Sequence, residues 1–480
     1  MVYMRIPNLG NTIVQMGGAV MSILAAFVVP HPPIMRPEIG RGAETGIQQT
    51  IDAEKRAMMR AAALRPDTVV ITTPHNILYS DYFHISPGTS AVGDFGAFGA
   101  PRLQAVSHYD VEFTRALENL CKQEELPAGT LGEKDPRLDH GTMLPILALD
   151  ECLRDYRVVR ISLSGLSPME HYRLGTLIAR TANALGRRTV LIASGDLSHK
   201  LKPDGPYGFS LEGPEFDQLT TQALGKADFL SLLCMDPDLA EAAGECGLRS
   251  IWIMAGALDR LAVHPVLLSY EGPFGVGYAV ASFEVTGIDP ARDIGAQYAE
   301  ALKAEMDARR AREDAHVRLA RLSLETYVKK GQVVDLPKNL PSELLNTRAG
   351  AFVSLHKHGA LRGCIGTIEP VQKNLAMEII RNAVSASRDP RFDPVAPEEL
   401  PDIVFSVDVL GEPEPIRSEA ELDVKRYGVI VSDGLRRGLL LPDLPGVSSP
   451  HDQVEIARKK AGISPGVKVM LSRFEVVRHT

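Results

Sequence analysis

Four histidines in the first part of the chain stand where an imidazole can be held and aimed. His31 follows the apolar run in AAFVVPHPPI, His75 follows TVVITTP, His140 sits in the turn RLDHGTMLP, and His199 follows TVLIASGDLS. Pro30, Pro32 and Pro33 fix φ on both sides of His31 and remove N–H donors from its turn, so this ring leaves its strand with little freedom. Taken singly, a histidine after a strand reads as a satisfied loop or core residue; its recurrence after separate strands points to a cluster. Two imidazoles and one carboxylate form the protein face of a non-haem Fe(II) site, which leaves positions open for substrate and O2. Zinc accepts the same donors. The carboxylate must come from elsewhere, and AGECGLRSIWIMAGALD offers Glu245 at the start of an apolar helix that carries the sole tryptophan, Trp252. The same Glu245 also reads as a helix N-terminal charge favoured by the macrodipole.

The elements that must position these rings form an α/β pattern. ILAAFVV, TVVITTP, YRVVRISLS and RTVLIASG are short runs rich in β-branched residues, with helical periodicity between them. Such near-continuous apolar strands are buried on both faces of a sheet and gather functional loops at their carboxyl ends. HPVLLSYEG and GYAVASFEV read as two more strands that close the sheet. After TGIDPARD the composition shifts to a charged, Ala-rich helix, which makes 289–315 a helical linker between a first domain over 21–288 and a second over 316–480. The second domain mixes its order of helices and strands and reads as a smaller α+β unit. Residues 1–20 read as an N-terminal extension of uncertain status, since Met21 opens the first convincing strand.

Composition limits the partners. The chain has 480 residues, 45% of them hydrophobic and 23% charged, which is ordinary for a globular protein of two domains. Before His316 there are 29 Lys and Arg against 39 Asp and Glu; from His316 on there are 23 against 21. Neither part carries the clustered basic footprint of a nucleic-acid binder. The apolar segment at 20–29 is far short of the ~20 residues that a membrane span needs. Five scattered cysteines form neither a zinc knuckle nor a secreted disulfide framework, and they fit a reducing cytoplasm.

The first domain resembles the class III extradiol ring-cleavage dioxygenases, typified by LigB, in PHPP, PHN…DYF, LDHGTMLPI, SGDLSH and the Glu before GAL. The resemblance implies an α/β/α fold around a central mixed or parallel sheet. It also implies that His31, His75 and Glu245 ligate Fe(II), with Zn as an alternative, that His199 serves as acid and base toward a catecholic hydroxyl and bound oxygen, and that His140 lines the site behind the ligands. Asp196, three residues before His199, either orients it or caps the turn. A sister branch, the MEMO family, is similar in VVPHPP and has a cysteine near the carboxylate position. Glu245 and Cys246 are adjacent here, so a one-residue shift in alignment makes Cys246 the competing ligand and the set His₂Cys.

Residues 316–480 resemble the AMMECR family in LARLSLETYVKKG, GAFVSLHKHGALRGCIGTIEP, AVSASRDPRFDPVAPEEL and GVIVSDGLRRGLLLPDLPG. Within LRGCIG, Arg362 supplies a planar cation, Gly363 and Gly366 permit close backbone approach, and Cys364 places a thiol beside positive charge. This motif reads as an anion or nucleotide-like pocket or a reactive cysteine, and alternatively as a tight strand corner. His356 and His358 are two apart on an expected strand and share a face. The fused pair resembles proteins of the AmmeMemoRadiSam system. Two functions follow as expectations: an Fe(II)-dependent oxygenase acting with O2 on a small aromatic or vicinal diol, or a metal-binding partner that assists a radical S-adenosylmethionine enzyme without ring cleavage. Homo-oligomerisation is compatible with either.

Overall fold

The computed structural model describes residues 21–132, 137–357, 359–444 and 446–480. The extension expected at 1–20 and His358 lie outside the described residues. The chain divides into two compact units whose boundary falls between Ala301 and Leu302. That boundary lies within the helix α5 (Ile294–Arg312).

In the first unit, strands β1 (Ile23–Val29), β2 (Thr68–Thr73), β3 (Arg157–Ser162), β4 (Thr189–Ser194), β5 (Leu261–Glu271) and β6 (Tyr278–Ile288) form one sheet in the order β3-β2-β4-β1-β6-β5. The first four are mutually parallel; β6 and β5 join antiparallel, so the sheet is mixed. Alternate side chains of the parallel strands feed two cores. Ala26, Val28, Val70, Leu191 and Ala193 face one, with the helices α3 (Pro168–Leu185) and α4 (Leu248–Ala257). Phe27, Val69, Ile71, Val190 and Ile192 face the other, with α1 (Gln48–Ala63) and α2 (His140–Asp150). Each fully buried aliphatic or aromatic side chain contributes about 1.5–3 kcal/mol, and this two-sided burial is why the strands read as unbroken apolar runs. The α/β/α expectation holds.

Two close approaches fix the layer that carries the site. A Cβ on Gly175 of α3 would lie 1.9 Å from the Ile253 carbonyl of α4, and one on Gly256 of α4 would lie 1.9 Å from the Tyr172 carbonyl of α3. At the rim, a Cβ on Gly195 would lie 2.2 Å from Gly247 Cα. Glycine at these points lets the turn before α4 sit against the loop that leaves β4.

The second unit holds a seven-stranded antiparallel sheet formed by β7 (Ala351–Lys357), β8 (Ala360–Gly366), β9 (Ile403–Leu410), β10 (Glu414–Ile416), β11 (Tyr427–Ser432), β12 (Arg437–Leu440) and β13 (Met470–His479). Its order is β8-β7-β9-β13-β11-β12, with β10 also on β13. Helices α6 (Ala315–Lys330) and α7 (Leu375–Ala386) cover it through Leu319, Leu324, Ile379 and Ile380, which pack with Val353, Leu355, Phe405 and Val407. This is the expected α+β arrangement.

Candidate metal centre

His31, two residues beyond the buried end of β1 at Val29, is itself buried. Its backbone N–H donates to Asp196 Oδ1 at 2.8 Å. On the ring, Nδ1 meets Ser194 Oγ at 2.9 Å, while the Ser194 hydroxyl donates to the Gly141 carbonyl at 2.7 Å. The serine proton is thus committed, so its oxygen accepts from His31 Nδ1–H and the His31 lone pair lies on Nε2. That Nε2 stands 2.9 Å from His75 Nε2 and 3.6 Å from Cys246 Sγ. Among the described residues of this unit, the donor atoms of His31, His75 and Cys246 all lie within 4.8 Å of one another.

Glu245 goes elsewhere. Its Oε2 accepts the Leu248 N–H at 2.6 Å, at the first residue of α4. The carboxylate therefore serves the helix N-terminus, where the dipole and unpaired N–H groups favour it. Cys246 lies on the other side of the same turn, where Asp196 N–H donates to its sulfur at 3.2 Å. The structure thus brings Cys246, and not Glu245, to the two imidazoles.

His140 and His199 flank the cluster without joining that donor set. His140 opens α2, and its ring centroid lies 4.0 Å from that of His75, tilted by 32°, with Phe98 against its other side at 5.2 Å. His199 donates from Nδ1 to the Gly244 carbonyl, which leaves its Nε2 as the acceptor, and its ring packs on Tyr207 at 5.1 Å. Asp196 holds the His31 backbone, and of the two roles expected for it, anchoring the turn is the one its hydrogen bond serves.

Burial dominates the electrostatics. It holds the His31 ring down to about 3, helped by His75, and does the same to His140, helped by His75 and His31. His75 is also lowered, chiefly by burial. Burial raises the Asp196 carboxyl to about 6 against the His31 N–H and His199, and it pushes the Cys246 thiol well up, with Asp196 and Glu245 adding to the effect. The imidazoles are therefore neutral with lone pairs available. This is the state a metal requires, whereas the thiol must lose its proton on binding.

Sequence reasoning did not find the groups that steady this cluster. Asp139 caps α2 through Thr142 N–H at 3.0 Å and accepts Thr73 Oγ1–H at 2.6 Å, while the His75 backbone N–H donates to the same Thr73 oxygen at 3.3 Å. The buried Arg160 donates to Asp139 Oδ2 from Nε at 3.2 Å and from Nη2 at 2.9 Å. Burial pushes the Asp139 carboxyl up, but Arg160 and the hydroxyls bring it below its ordinary value. The capping half of this arrangement was readable, because an Asp stands immediately before the helix with Thr at its third position. Ser194 gave no signal beyond ending a strand.

In the second unit the LRGCIG residues separate by role. Arg362 binds Glu399 with Nε at 3.0 Å and Nη2 at 2.8 Å, which holds that carboxyl down to about 2. With Pro390, Arg391, Phe392 and Asp393 it lines an open cleft of about 530 Å³. Cys364 is placed by its N–H to Asp389 Oδ2 at 2.9 Å and by Ser354 Oγ–H to its sulfur at 3.2 Å. Gly363 and Gly366 meet the Ala386 carbonyl and the Phe352 ring at distances only glycine tolerates. They are packing residues of the strand. No helix among the described residues is long and apolar enough to cross a membrane.

Comparison with known proteins agrees with both halves. A protein of Clostridium acetobutylicum is 39% identical over 469 residues, covering 96% of this chain and 99% of its own. One of Thermotoga maritima is 52% identical over 170 residues, 35% of this chain and 98% of its own. A solved structure from Pyrococcus horikoshii aligns at 34% identity over 34% of this chain and 88% of its own, with a TM-score of 0.32. Residues 317–479 match the AMMECR1 family model. Residues 25–281 match the model described as the catalytic LigB subunit of aromatic ring-opening dioxygenase, and the chain belongs to that family, joined on one polypeptide to an AMMECR1 domain.

Proposed function

We propose that the first unit is a metal-dependent oxidoreductase that acts with O2 on a small aromatic or vicinal diol, its metal held by His31, His75 and Cys246. The observation that carries this reading is the convergence of three donors, two of them neutral imidazoles, beside two further proton-handling groups. The donor chemistry fits a first-row ion: imidazole suits iron and zinc, and the thiolate makes the set softer than two histidines with a carboxylate. A bound Fe(II) would relay electrons from the diol to O2 and supply Lewis acidity toward the diol, whereas Zn, which has no redox chemistry, would supply only the Lewis acidity. The rest falls to the chain. Ser194 fixes the His31 tautomer, and the Asp196 carboxylate fixes its backbone. His199, with Nδ1–H held by the Gly244 carbonyl, offers Nε2 to a substrate hydroxyl as general base and returns the proton as acid. Tyr207 packs edge-on against that ring and limits its rotation.

A second reading has its own observation. Cys246, standing where the oxygenases use a carboxylate, favours a metal-binding partner protein that serves a radical S-adenosylmethionine enzyme without ring cleavage. Anaerobic purification, metal analysis from manganese to zinc, and O2 uptake against a panel of catechols separate the two. The oxidoreductase reading expects stoichiometric iron and diol-dependent uptake that falls at least 100-fold in His199→Ala. Tight metal with no uptake on any diol rejects it in favour of the partner role.

A further inference from the structure

The second unit contains a cluster that the centre described above does not use. Asp314 caps α6: its Oδ1 accepts the N–H of His316 at 2.8 Å and that of Val317 at 3.1 Å. This fixes the carboxylate and turns Oδ2 toward two imidazoles. His316 in the first turn of α6 has Nδ1 3.5 Å from that oxygen. His479, the last residue of β13, donates its Nδ1–H to the same oxygen. The two rings stack with centroids 3.7 Å apart at 20°. One donor atom from each residue lies within 4.8 Å of the other two.

His316 is the informative member. It is 5% exposed, and neither ring nitrogen has a hydrogen-bond partner among the described residues. Buried polar nitrogens without partners are costly and rare in native proteins. A carboxylate oriented by backbone N–H groups, a buried imidazole without a hydrogen-bond partner and a second imidazole on the same oxygen together gather an N₂O donor set, in which the stacked rings would splay to bring both in-plane lone pairs to one ion. The exposure of His479 and Asp314 provides an entry path, since their side chains are 16% and 42% accessible.

We propose that Asp314, His316 and His479 bind a divalent transition metal, zinc by ligand type, with water completing a tetrahedral shell. On binding, the Nδ1 proton that His479 shares with Asp314 leaves or moves to Nε2, and the His316 lone pair gains its missing partner. This site is independent of the one in the first unit and differs from it chemically, because it contains no thiolate.

The chelator-stripped full-length chain is titrated with zinc, and with Co(II) as an optical probe. Alongside wild type the set comprises Cys246→Ala, His316→Gln, His479→Gln and the double variant Cys246→Ala/His479→Gln. Cys246→Ala is expected to keep one equivalent of metal whose Co(II) spectrum lacks a thiolate charge-transfer band, and the double variant is expected to lose it. Zinc is expected to raise the melting temperature of Cys246→Ala and to leave that of the double variant unchanged. If wild type holds one equivalent that disappears in His479→Gln and survives in Cys246→Ala, the proposal stands even though the first centre is then empty of zinc. Should Cys246→Ala bind no metal, or the double variant bind as much as Cys246→Ala, the proposal is overturned. His479→Gln alters a peripheral side chain, so the test survives if His316→Gln fails to fold.

Discussion

At the scale of single residues the decisive pair is Glu245 and Cys246. They are neighbours in a turn, so their side chains leave in different directions and only one reaches the imidazoles. The carboxylate that caps α4 can be lost without touching the donor set. Glu245→Ala is expected to keep its metal while losing about 0.5–2 kcal/mol of stability with the cap. Cys246→Ala is expected to strip the first-unit metal with little change in the stability of the metal-free protein. Metal content measured beside urea unfolding checks both, and metal lost from Glu245→Ala but retained in Cys246→Ala would assign the carboxylate as ligand instead. The sequence displayed both candidates, and the helix-capping role of Glu245 was readable from its place before an apolar helix. What it did not display was the direction of the turn, which the close approach of Gly195 to Gly247, where a Cβ on Gly195 would lie 2.2 Å from Gly247 Cα, helps set. His31 and His75 were legible because strand ends and prolines are local signals. Ser194 was not, because its role depends on Gly141, which is 53 residues away in sequence.

At the scale of elements the centre depends on how α4 lies across α3, since α4 begins just after Cys246. The crossing admits no side chain at Gly175 or Gly256. Gly256→Ala is expected to cost roughly 1–3 kcal/mol by overpacking and to weaken metal binding by shifting the turn that carries Cys246. A lower urea midpoint with unchanged slope reports the first effect, and a zinc competition assay reports the second; a midpoint equal to wild type would mean that the helices separate without penalty. All six strands of the main sheet were legible as apolar runs; in the four parallel strands this is because burial on both faces writes itself into consecutive residues, whereas the edge strand β5 is only half-buried. The hairpin of Ser90–Phe95 and Ala100–His108 was not. Its first strand alternates exposed and buried and includes Gly93 and Asp94, poor strand formers. It is held by tertiary contacts instead: a Cβ on Gly93 would strike the Leu138 carbonyl and Met143. The role of Gly363 and Gly366 followed a principle the sequence did suggest, close backbone approach, but the neighbour is a helix and a phenyl ring of the same unit.

At the scale of the whole molecule the groups shifted furthest differ between the units, raised carboxyls and lowered rings in the first and ion-paired, lowered carboxyls in the second, so acid and base act on them differently. In the first unit burial raises the Glu54 carboxyl to about 8 and the Asp217 carboxyl to about 7. A carboxyl raised in the folded state favours folding below its unfolded value near 4, and that contribution is lost as pH rises through 7 to 8. The same unit buries His31, His140 and His171 as neutral rings held to about 3. These lose stability in the other direction, as the unfolded chain takes up protons below pH 6.5. The metal-free first unit should therefore be most stable near pH 6 to 7 and weaken on both sides. In the second unit Glu399 is held down to about 2 by Arg362 and Lys357, and Asp389 lies well below its ordinary value through Arg391. Depressed carboxyls stabilise above their unfolded values and lose that contribution only as pH falls from about 4.5 toward 2. Calorimetry of the chelated protein from pH 4 to 9 should show one transition that moves down above pH 7 and another that does not. Glu54 has an oxygen without a hydrogen-bond partner among the described residues, so Glu54→Gln removes a charge the site never welcomes. This variant should raise the first transition at pH 9 far more than at pH 5, by at most roughly 4 kcal/mol. An equal effect at both pH values would mean that Glu54 ionises freely in the folded protein.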